Sequence, residues 1–244
     1  MSSREQIQVF SDFDGTGFNS TRLWQATTIE VARQVPEISD PEVVASWNTR
    51  FKEVQHTSSD ERVHVLGGFC IHRMLEEKLD LSGSESSQIM RHVTDSLKPR
   101  AAEFVFEDAA AFFEQHTSAD NPGYFITHGR KRMQDFKWRV LSSEFPPFTK
   151  FVSTLEPKQD VINSIRNEGL PAVYIDDRWK GLNTSLREML GETGVQLFHL
   201  NRDRTVNKYH HEQPLSVEQS QSVPEVATFD ELARRLRLAS SKAA

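Results

Sequence analysis

Two aspartates near the start of the chain, Asp12 and Asp14, are the residues whose type and spacing first suggest chemistry. They lie in the sequence Asp-Phe-Asp-Gly-Thr at positions 12–16, directly after an apolar stretch at 7–11. A carboxylate can attack phosphorus and form an aspartyl phosphate, and a second carboxylic acid can protonate a leaving alcohol. Taken alone, the pattern is also typical of an ordinary turn with solvated acids.

Three further polar groups follow apolar, strand-like stretches of the chain. Thr127 ends the stretch at 123–127, Asp176 and Asp177 follow the stretch at 171–175, and Lys158 comes just after a short one at 151–153. Paired carboxylates suit a hard divalent cation, whereas an ammonium and a hydroxyl suit phosphate oxygens. Each group also has an ordinary alternative: a turn cap for Thr127, a helix N-cap for the aspartates and a solvated first-turn lysine for Lys158.

Elements of two kinds alternate along much of the chain and would position these groups. Short apolar runs predict strands at 7–11, 123–127, 151–153, 171–175 and 195–200. Helical patterns fall between and after them, at 101–115, 131–142, 157–167, 182–190 and 229–238. This alternation predicts a parallel sheet with helices on both faces, and ligands bind such sheets beyond the carboxyl ends of the strands. The polar groups named above should therefore meet at one sheet edge. Lys150 is the alternative to Lys158 as the lysine of this group, but it precedes its strand instead of following it.

A helical block interrupts the alternation after the first strand. Residues 21–97 show about four helical patterns and no convincing strand. One pattern ends before Pro36, and capping boxes begin two others at 58–61 and 82–85. The simplest arrangement is a helical insertion between the first strand and the next core helix.

Composition limits the classes of function. The chain has 244 residues, 37% of them hydrophobic, and a formal net charge of -6. An acidic balance does not favour nucleic acid as a partner. The single cysteine, Cys70, excludes an intramolecular disulfide, and neither a secretory apolar segment nor a membrane-length stretch is recognisable. We expect a cytoplasmic protein without nucleic-acid or membrane partners; the oligomeric state is left open.

The four groups of polar residues, in this order, resemble the motifs of the haloacid dehalogenase (HAD) superfamily. The resemblance implies an α/β fold: a Rossmann-like parallel-sheet core with an inserted α-helical cap domain. Residues 1–17 and 99–244 would form the core and residues 18–98 the cap. Substrate specificity would lie in the cap, where charge alone marks the candidates Arg22, Arg50, His56, His64 and Arg73.

The resemblance also implies roles for the acidic residues. Asp12 would be the nucleophile and a Mg²⁺ ligand. Asp14 would act as general acid and base, with its backbone carbonyl on the metal. Asp176 and Asp177 would complete the metal site directly or through water, and which of them is the direct ligand stays open.

Phosphate binding is implied for a second set of residues. Thr127 would bind the transferring phosphoryl group, and Lys158 would neutralise it and orient Asp12; His128 and Gly129 would join them in binding substrate. Two positions depart from the usual pattern. Gly17 replaces an apolar residue, which predicts a looser connection into the insertion, and His128 stands where asparagine is common.

Asp14 narrows the implied reaction. Dehalogenases of the superfamily lack an aspartate at this position. Of dehalogenation and phosphate ester hydrolysis, only the second releases an alkoxide, which needs the proton of Asp14. The expectation is a Mg²⁺-dependent phosphatase that hydrolyses a small phosphorylated metabolite through an aspartyl phosphate. The alternatives are a phosphomutase or phosphotransferase of the same fold and a catalytically silent HAD-like binding protein.

Overall fold

A computed structural model of the chain describes residues 6–35, 38, 42–43, 46, 75–76, 79–129, 131–177, 194–202 and 223–243. Two predicted features lie outside these ranges: the helix at 182–190 and the capping box at 58–61.

The described residues form one parallel sheet of six strands. These are β1 (Gln8–Ser11), β2 (Tyr124–His128), β3 (Lys150–Thr154), β4 (Ala172–Asp176), β5 (Val195–Leu200) and β6 (Glu225–Val226). Their order across the sheet is β3-β2-β1-β4-β5-β6, and every neighbouring pair runs parallel. The five predicted strands are confirmed. The sixth was missed because it has only two residues and follows a long polar stretch.

Helices connect and cover these strands in the described part of the chain. They are α1 (Ser20–Gln34), α2 (Gly83–Leu97), α3 (Glu107–His116), α4 (Lys131–Leu141), α5 (Lys158–Ile165) and α6 (Phe229–Ala243), with short 3-10 helices at Lys98–Glu103 and Ser142–Glu144. Among the described residues, none of the helices combines the length and apolarity required to span a bilayer.

Apolar side chains alternate between the two faces of the sheet, as successive residues of a strand must. Val9 of β1 and Val173 of β4 belong to a large core beneath most of the helices. Phe10 and Tyr174, their neighbours in sequence, belong to a second core, which α5 covers with Val161 and Ile162. The predicted α/β fold with helices on both faces is therefore confirmed, and Tyr174 lies on the face covered by α5.

Two helices lie in the region predicted to be a cap. Asn19 caps α1 by accepting a hydrogen bond from the amide of Arg22 (3.0 Å). The predicted capping box of Ser82 and Glu85 is present at the start of α2. The two helices pack against each other, and α2 also packs against α4 of the predicted core. Most of 36–82 lies outside the described residues, so the domain boundaries near 18 and 98 stay a prediction.

The helix predicted at 101–115 is wrong in its first part. The 3-10 helix ends at Glu103 and α3 begins only at Glu107. Between them, the carbonyl of Phe104 accepts a hydrogen bond from the amide of Asn19 (2.8 Å), and the amide of Phe106 donates to the carbonyl of Gly17 (3.2 Å). Residues 104–106 thus form hydrogen bonds with residues 17–19 in place of helical ones. These bonds anchor the segment after Asp14 to the start of α3.

Gly17 does not loosen its segment, contrary to expectation. A Cβ atom at this position would lie 2.9 Å from Cε1 of Phe125 and 3.5 Å from Cδ2 of Phe13. The Gly17 amide also donates to the carbonyl of Phe13 (3.0 Å). The glycine is needed because the backbone passes directly over a buried phenylalanine ring.

Candidate active site

The loop after β1 places two aspartates at the centre of the sheet edge. The amide of Asp12 donates to the carbonyl of Ile175 in β4 (2.7 Å), which continues the strand pairing beyond Ser11. Between the aspartates, Phe13 is fully buried, with ring centroids of Phe18 at 4.6 Å and Phe125 at 5.0 Å. The chain then turns at Gly15, whose φ of 80° suits a residue without a Cβ. Burial of Phe13 thus fixes the loop that carries both carboxylates.

Three carboxylates converge at this edge. One oxygen each from Asp12, Asp176 and Asp177 lies within 4.8 Å of the others, and the first two residues are buried. Thr16 Oγ1 donates to Asp177 Oδ1 (3.4 Å), which ties the loop after β1 to the end of β4. An all-carboxylate donor set fits Mg²⁺, a hard cation that proteins commonly hold with one or two carboxylates. The carbonyl role expected for Asp14 stays a prediction.

Lys158 joins two of these carboxylates. It is the first residue of α5, and its Nζ donates to Asp12 Oδ1 (2.6 Å), to the Tyr174 hydroxyl (2.9 Å) and to Asp176 Oδ2 (3.1 Å). Burial alone would lower the pKa of this amine, but Asp12 and Asp176 outweigh burial and raise it well above its usual value. The lysine therefore stays charged beside Asp12, in the position that the sequence predicted.

Burial raises the pKa of Asp12 to about 6. Lys158 counteracts this effect, whereas the negative charges of Asp176 and Asp14 add to it. Near neutral pH the carboxylate is still mainly ionised, as a nucleophile or a cation ligand must be. Below about pH 6 a proton competes for the same oxygens.

This competition predicts how cation binding depends on pH. The affinity for Mg²⁺ or Mn²⁺ should be nearly constant above pH 7 and fall about tenfold per unit below pH 6, because binding must displace the proton of Asp12. Calorimetry at pH 5 to 8 would measure the affinity, and repeating it in buffers of different ionisation enthalpy would count about half a proton released per cation at pH 6. Constant affinity down to pH 5 would contradict the raised pKa.

The carboxylate of Asp14 has partners of its own. Lys137 Nζ of α4 lies 2.6 Å from Asp14 Oδ1 and 2.8 Å from Oδ2, and Thr127 Oγ1 donates to Oδ2 (3.3 Å). Both side chains of the ion pair are largely buried, with exposed fractions of 14% for Lys137 and 20% for Asp14. The sequence analysis missed Lys137, since nothing local distinguishes it from the other cations of its helix.

Thr127 and His128 are the last two residues of β2, and Gly129 follows them. Thr127 is buried, and His128 Nε2 donates to the carbonyl of Glu156 (2.7 Å). The Gly129 amide donates to Thr154 of β3 (3.3 Å), and its φ of 144° favours glycine. Burial lowers the pKa of His128, which favours the neutral ring. Thr127 contacts Asp14 through its hydroxyl. Substrate binding by Thr127, His128 and Gly129 stays a prediction.

Tyr174 is a second residue that the sequence analysis missed. Its hydroxyl donates to Asp176 Oδ2 (2.6 Å). Burial, followed by the charge of Asp176, raises the pKa of this phenol well above its usual value, so that it keeps its proton. A signal was present in the sequence, because residues two apart in a strand share a face.

Of the residues predicted to set specificity, the structure describes Arg22. Arg22 lies in α1, where its exposed side chain is 4.0 Å from Glu103. Arg50, His56, His64 and Arg73 lie outside the described residues. Their proposed role in specificity stays a prediction.

Solved structures with the same fold are known. One similar structure is a haloacid dehalogenase-like hydrolase from Burkholderia xenovorans LB400, at 16% identity, with 95% of this chain and 96% of that chain covered and a TM-score of 0.59. A defluorinating L-2-haloacid dehalogenase is 14% identical, with 97% of each chain covered and a TM-score of 0.57. Another L-2-haloacid dehalogenase is 12% identical, with 96% of this chain and 100% of that chain covered and a TM-score of 0.50.

No family model and no curated protein sequence matches the chain. At these identities the likeness is one of fold, and it extends over nearly the whole length of each chain. The six-stranded parallel sheet with helices on both faces agrees with it. The chain therefore has the fold of the haloacid dehalogenase-like hydrolases.

Proposed function

We propose that the protein is a Mg²⁺-dependent phosphatase acting on a small phosphorylated metabolite. The observation that carries the proposal is the group of carboxylates of Asp12, Asp176 and Asp177, which lie within 4.8 Å of one another. A nucleophilic carboxylate and a phosphate monoester are both anionic, so their approach requires positive charge. Bound Mg²⁺ would supply that charge, held by these three carboxylates and the Asp14 carbonyl.

The side chains of the site suit a two-step reaction. Asp12 attacks phosphorus, the bond to the ester oxygen breaks, and the leaving oxygen takes a proton from Asp14, which this step requires as the carboxylic acid and not as the ionised partner of Lys137. Asp14 then accepts a proton from water, which attacks the aspartyl phosphate, releases inorganic phosphate and regenerates Asp12. Lys158 and Thr127 bind phosphoryl oxygens. Lys137 holds the Asp14 side chain in place while Asp14 changes from acid to base.

Asp14 also bears on the choice between phosphatase and dehalogenase. A halide leaves as a stable anion and needs no proton, whereas an alkoxide leaving group does. In this protein an aspartate stands two residues after Asp12, held by Thr127 and Lys137. This arrangement favours phosphate ester hydrolysis, although two of the structures with a similar fold are L-2-haloacid dehalogenases.

The decisive experiment is an activity screen with the purified protein. Phosphate release from a broad panel of phosphorylated metabolites is measured with Mg²⁺ and with a chelator, beside halide release from 2-haloacids. Unaided hydrolysis of phosphate monoesters is very slow, so even modest turnover is informative. We expect Mg²⁺-dependent phosphate release by the wild type and none by Asp12→Asn.

Three other outcomes would reject the proposal. Metal-independent halide release would identify a dehalogenase. A bisphosphate intermediate would identify a phosphomutase, and transfer of phosphate to a second substrate would identify another phosphotransferase. Tight binding of a metabolite without turnover in either assay would identify a binding protein.

A further inference from the structure

A buried tyrosine hydroxyl lies between the lysine and one of the aspartates of the candidate active site. The Tyr174 oxygen is 2.9 Å from Lys158 Nζ and 2.6 Å from Asp176 Oδ2. The side chain of Tyr174 is fully buried, and that of Asp176 is 1% exposed. The mechanism proposed above leaves this hydroxyl without a role.

The position of Tyr174 follows from the fold. It lies two residues before Asp176 in β4, and side chains two apart share one face of a strand. That face is covered by α5, whose first residue is Lys158. The ring packs in the core with Phe10 and Ile162, so the hydroxyl is held at one place.

The donor and the acceptor in each hydrogen bond of the Tyr174 hydroxyl can be assigned. An ionised carboxylate can only accept, so Tyr174 donates its proton to Asp176 Oδ2. An ammonium can only donate, so Lys158 donates to the phenol oxygen. Lys158 has three protons, and the remaining two serve Asp12 Oδ1 and Asp176 Oδ2. Removing the phenol would leave Lys158 with one acceptor fewer and Asp176 with one donor fewer.

We propose that Tyr174 is a positioning residue that orients Asp176 toward the bound cation. Oδ2 of Asp176 accepts from both Tyr174 and Lys158, so these two donors fix the direction of the carboxylate. Groups that hydrogen-bond to a metal ligand fix its orientation, and their loss commonly weakens metal binding. The inference rests on the metal site of the proposed function, but it does not depend on which substrate is hydrolysed.

The test is cation binding by Tyr174→Phe, measured with Mn²⁺ by calorimetry and by electron paramagnetic resonance. The dissociation constant should rise about 10- to 100-fold. The Mg²⁺ concentration that gives half-maximal activity should rise by a similar factor. A merely structural role would change the melting temperature and leave the cation affinity of the folded variant unaltered, and that result would overturn the inference.

Tyr124→Phe is the matched control, because it removes a tyrosine hydroxyl from the first residue of β2, which β1 separates from β4 and which begins far from the carboxyl edge. Its cation affinity should equal that of the wild type. An equal loss of affinity in both variants would count against a specific role for Tyr174.

A second measurement applies even if Tyr174→Phe does not fold. The chain has three tyrosines, and replacing Tyr124 and Tyr209 by phenylalanine leaves Tyr174 as the only site for incorporation of 3-fluorotyrosine. The ¹⁹F resonance should shift when Mg²⁺ is added, and Asp176→Asn should abolish the shift. A resonance that does not move at saturating Mg²⁺ would overturn the inference.

Failure of the inference can be told apart from failure of the proposed function. If the wild type binds Mn²⁺ with an affinity that depends on Tyr174 but releases no phosphate, the phosphatase proposal alone is rejected. If phosphate is released normally and the affinity of Tyr174→Phe is unchanged, only the role of Tyr174 is rejected.

Discussion

Lys158→Met should release phosphate roughly 10²- to 10³-fold more slowly than the wild type, the range found when one well-placed donor to a developing negative charge is removed. Methionine keeps the length and much of the volume of the side chain, so α5 should stay in place. What is lost is the ammonium 2.6 Å from Asp12 Oδ1 and 3.1 Å from Asp176 Oδ2. The effect should appear in kcat more than in KM, because the negative charge near Lys158 grows as the phosphoryl group is transferred.

Removal of this ammonium also affects Asp12 itself. Burial and the carboxylates of Asp176 and Asp14 raise the pKa of Asp12, and Lys158 lowers it. Without Lys158 the pKa should rise further above 6, and the acidic limb of the pH–rate profile should move to higher pH. Arginine should not restore activity, because its planar, forked donors do not match three acceptors gathered around one nitrogen.

Lys150→Met provides the matched control for Lys158→Met. Lys150 is exposed at the first residue of β3, at the end of the sheet opposite the carboxylates. Its substitution removes the same charge from the protein and should leave kcat and KM within about twofold of the wild type, as expected for an exposed side chain with no role in the reaction. Comparable losses in the two variants would show that overall charge, and not the position of Lys158, controls the rate.

The second large effect concerns stability. Asp108→Ala should lower the free energy of unfolding by about 3–5 kcal/mol, because it leaves the buried guanidinium of Arg202 without its carboxylate. Arg202 donates twice to Asp108, at 2.8 and 3.1 Å, and the two side chains are only 10% and 16% exposed. Urea unfolding followed by circular dichroism would measure the loss.

Several elements meet at this ion pair. The guanidinium carbon of Arg202 lies 3.9 Å from the ring centroid of Phe106, and Arg202 also donates to the carbonyl of Thr16 (3.3 Å). Asp108 accepts in addition from the amide of Phe229, the first residue of α6 (2.9 Å). The pair therefore joins α3, α6 and the segment after β5 to the loop that carries Asp12.

Two further variants test whether burial of the Asp108–Arg202 ion pair causes the expected loss of stability. Glu103→Ala breaks the exposed ion pair between Arg100 and Glu103, whose side chains are 43% and 40% exposed, and should lower the free energy of unfolding far less than Asp108→Ala. The double variant Asp108→Leu/Arg202→Met should recover part of the stability lost by Asp108→Ala, because an apolar pair leaves no unpaired charge. A loss below about 1 kcal/mol in Asp108→Ala would show that water reaches the guanidinium.

Much of the site could be predicted because most of its residues directly follow or end short apolar strands, which can be recognised from local sequence. Asp12, Thr127 and Asp176 each lie at the carboxyl end of a recognisable apolar strand, and in a parallel sheet these ends meet at one edge. Lys158 begins the helix after another strand, so it too was assigned to that edge. The roles assigned to these residues stay predictions, whereas their proximity is a property of the fold.

The missed features depend on contacts between residues far apart in sequence. Lys137 reaches Asp14 across 123 positions, and no local pattern distinguishes it from a solvated lysine. The helix predicted from residue 101 fails at 104–106 because the backbone there pairs with 17–19. Tyr174 was overlooked for another reason: an aromatic residue in a buried strand is expected on packing grounds alone.

The order of the strands has a consequence for how the protein is made. The strand that leads to Asp12 is synthesised first, yet its two neighbours in the sheet are β2 and β4, and Gln8 pairs with Ala172. The lysine beside Asp12 is 146 positions further along the chain. Contacts of such high contact order form late, so β1 cannot pair with both of its neighbours until β4 has been made. The candidate active site is thus expected to assemble late in folding, and chains that end before residue 172 should lack β4 and be prone to aggregate.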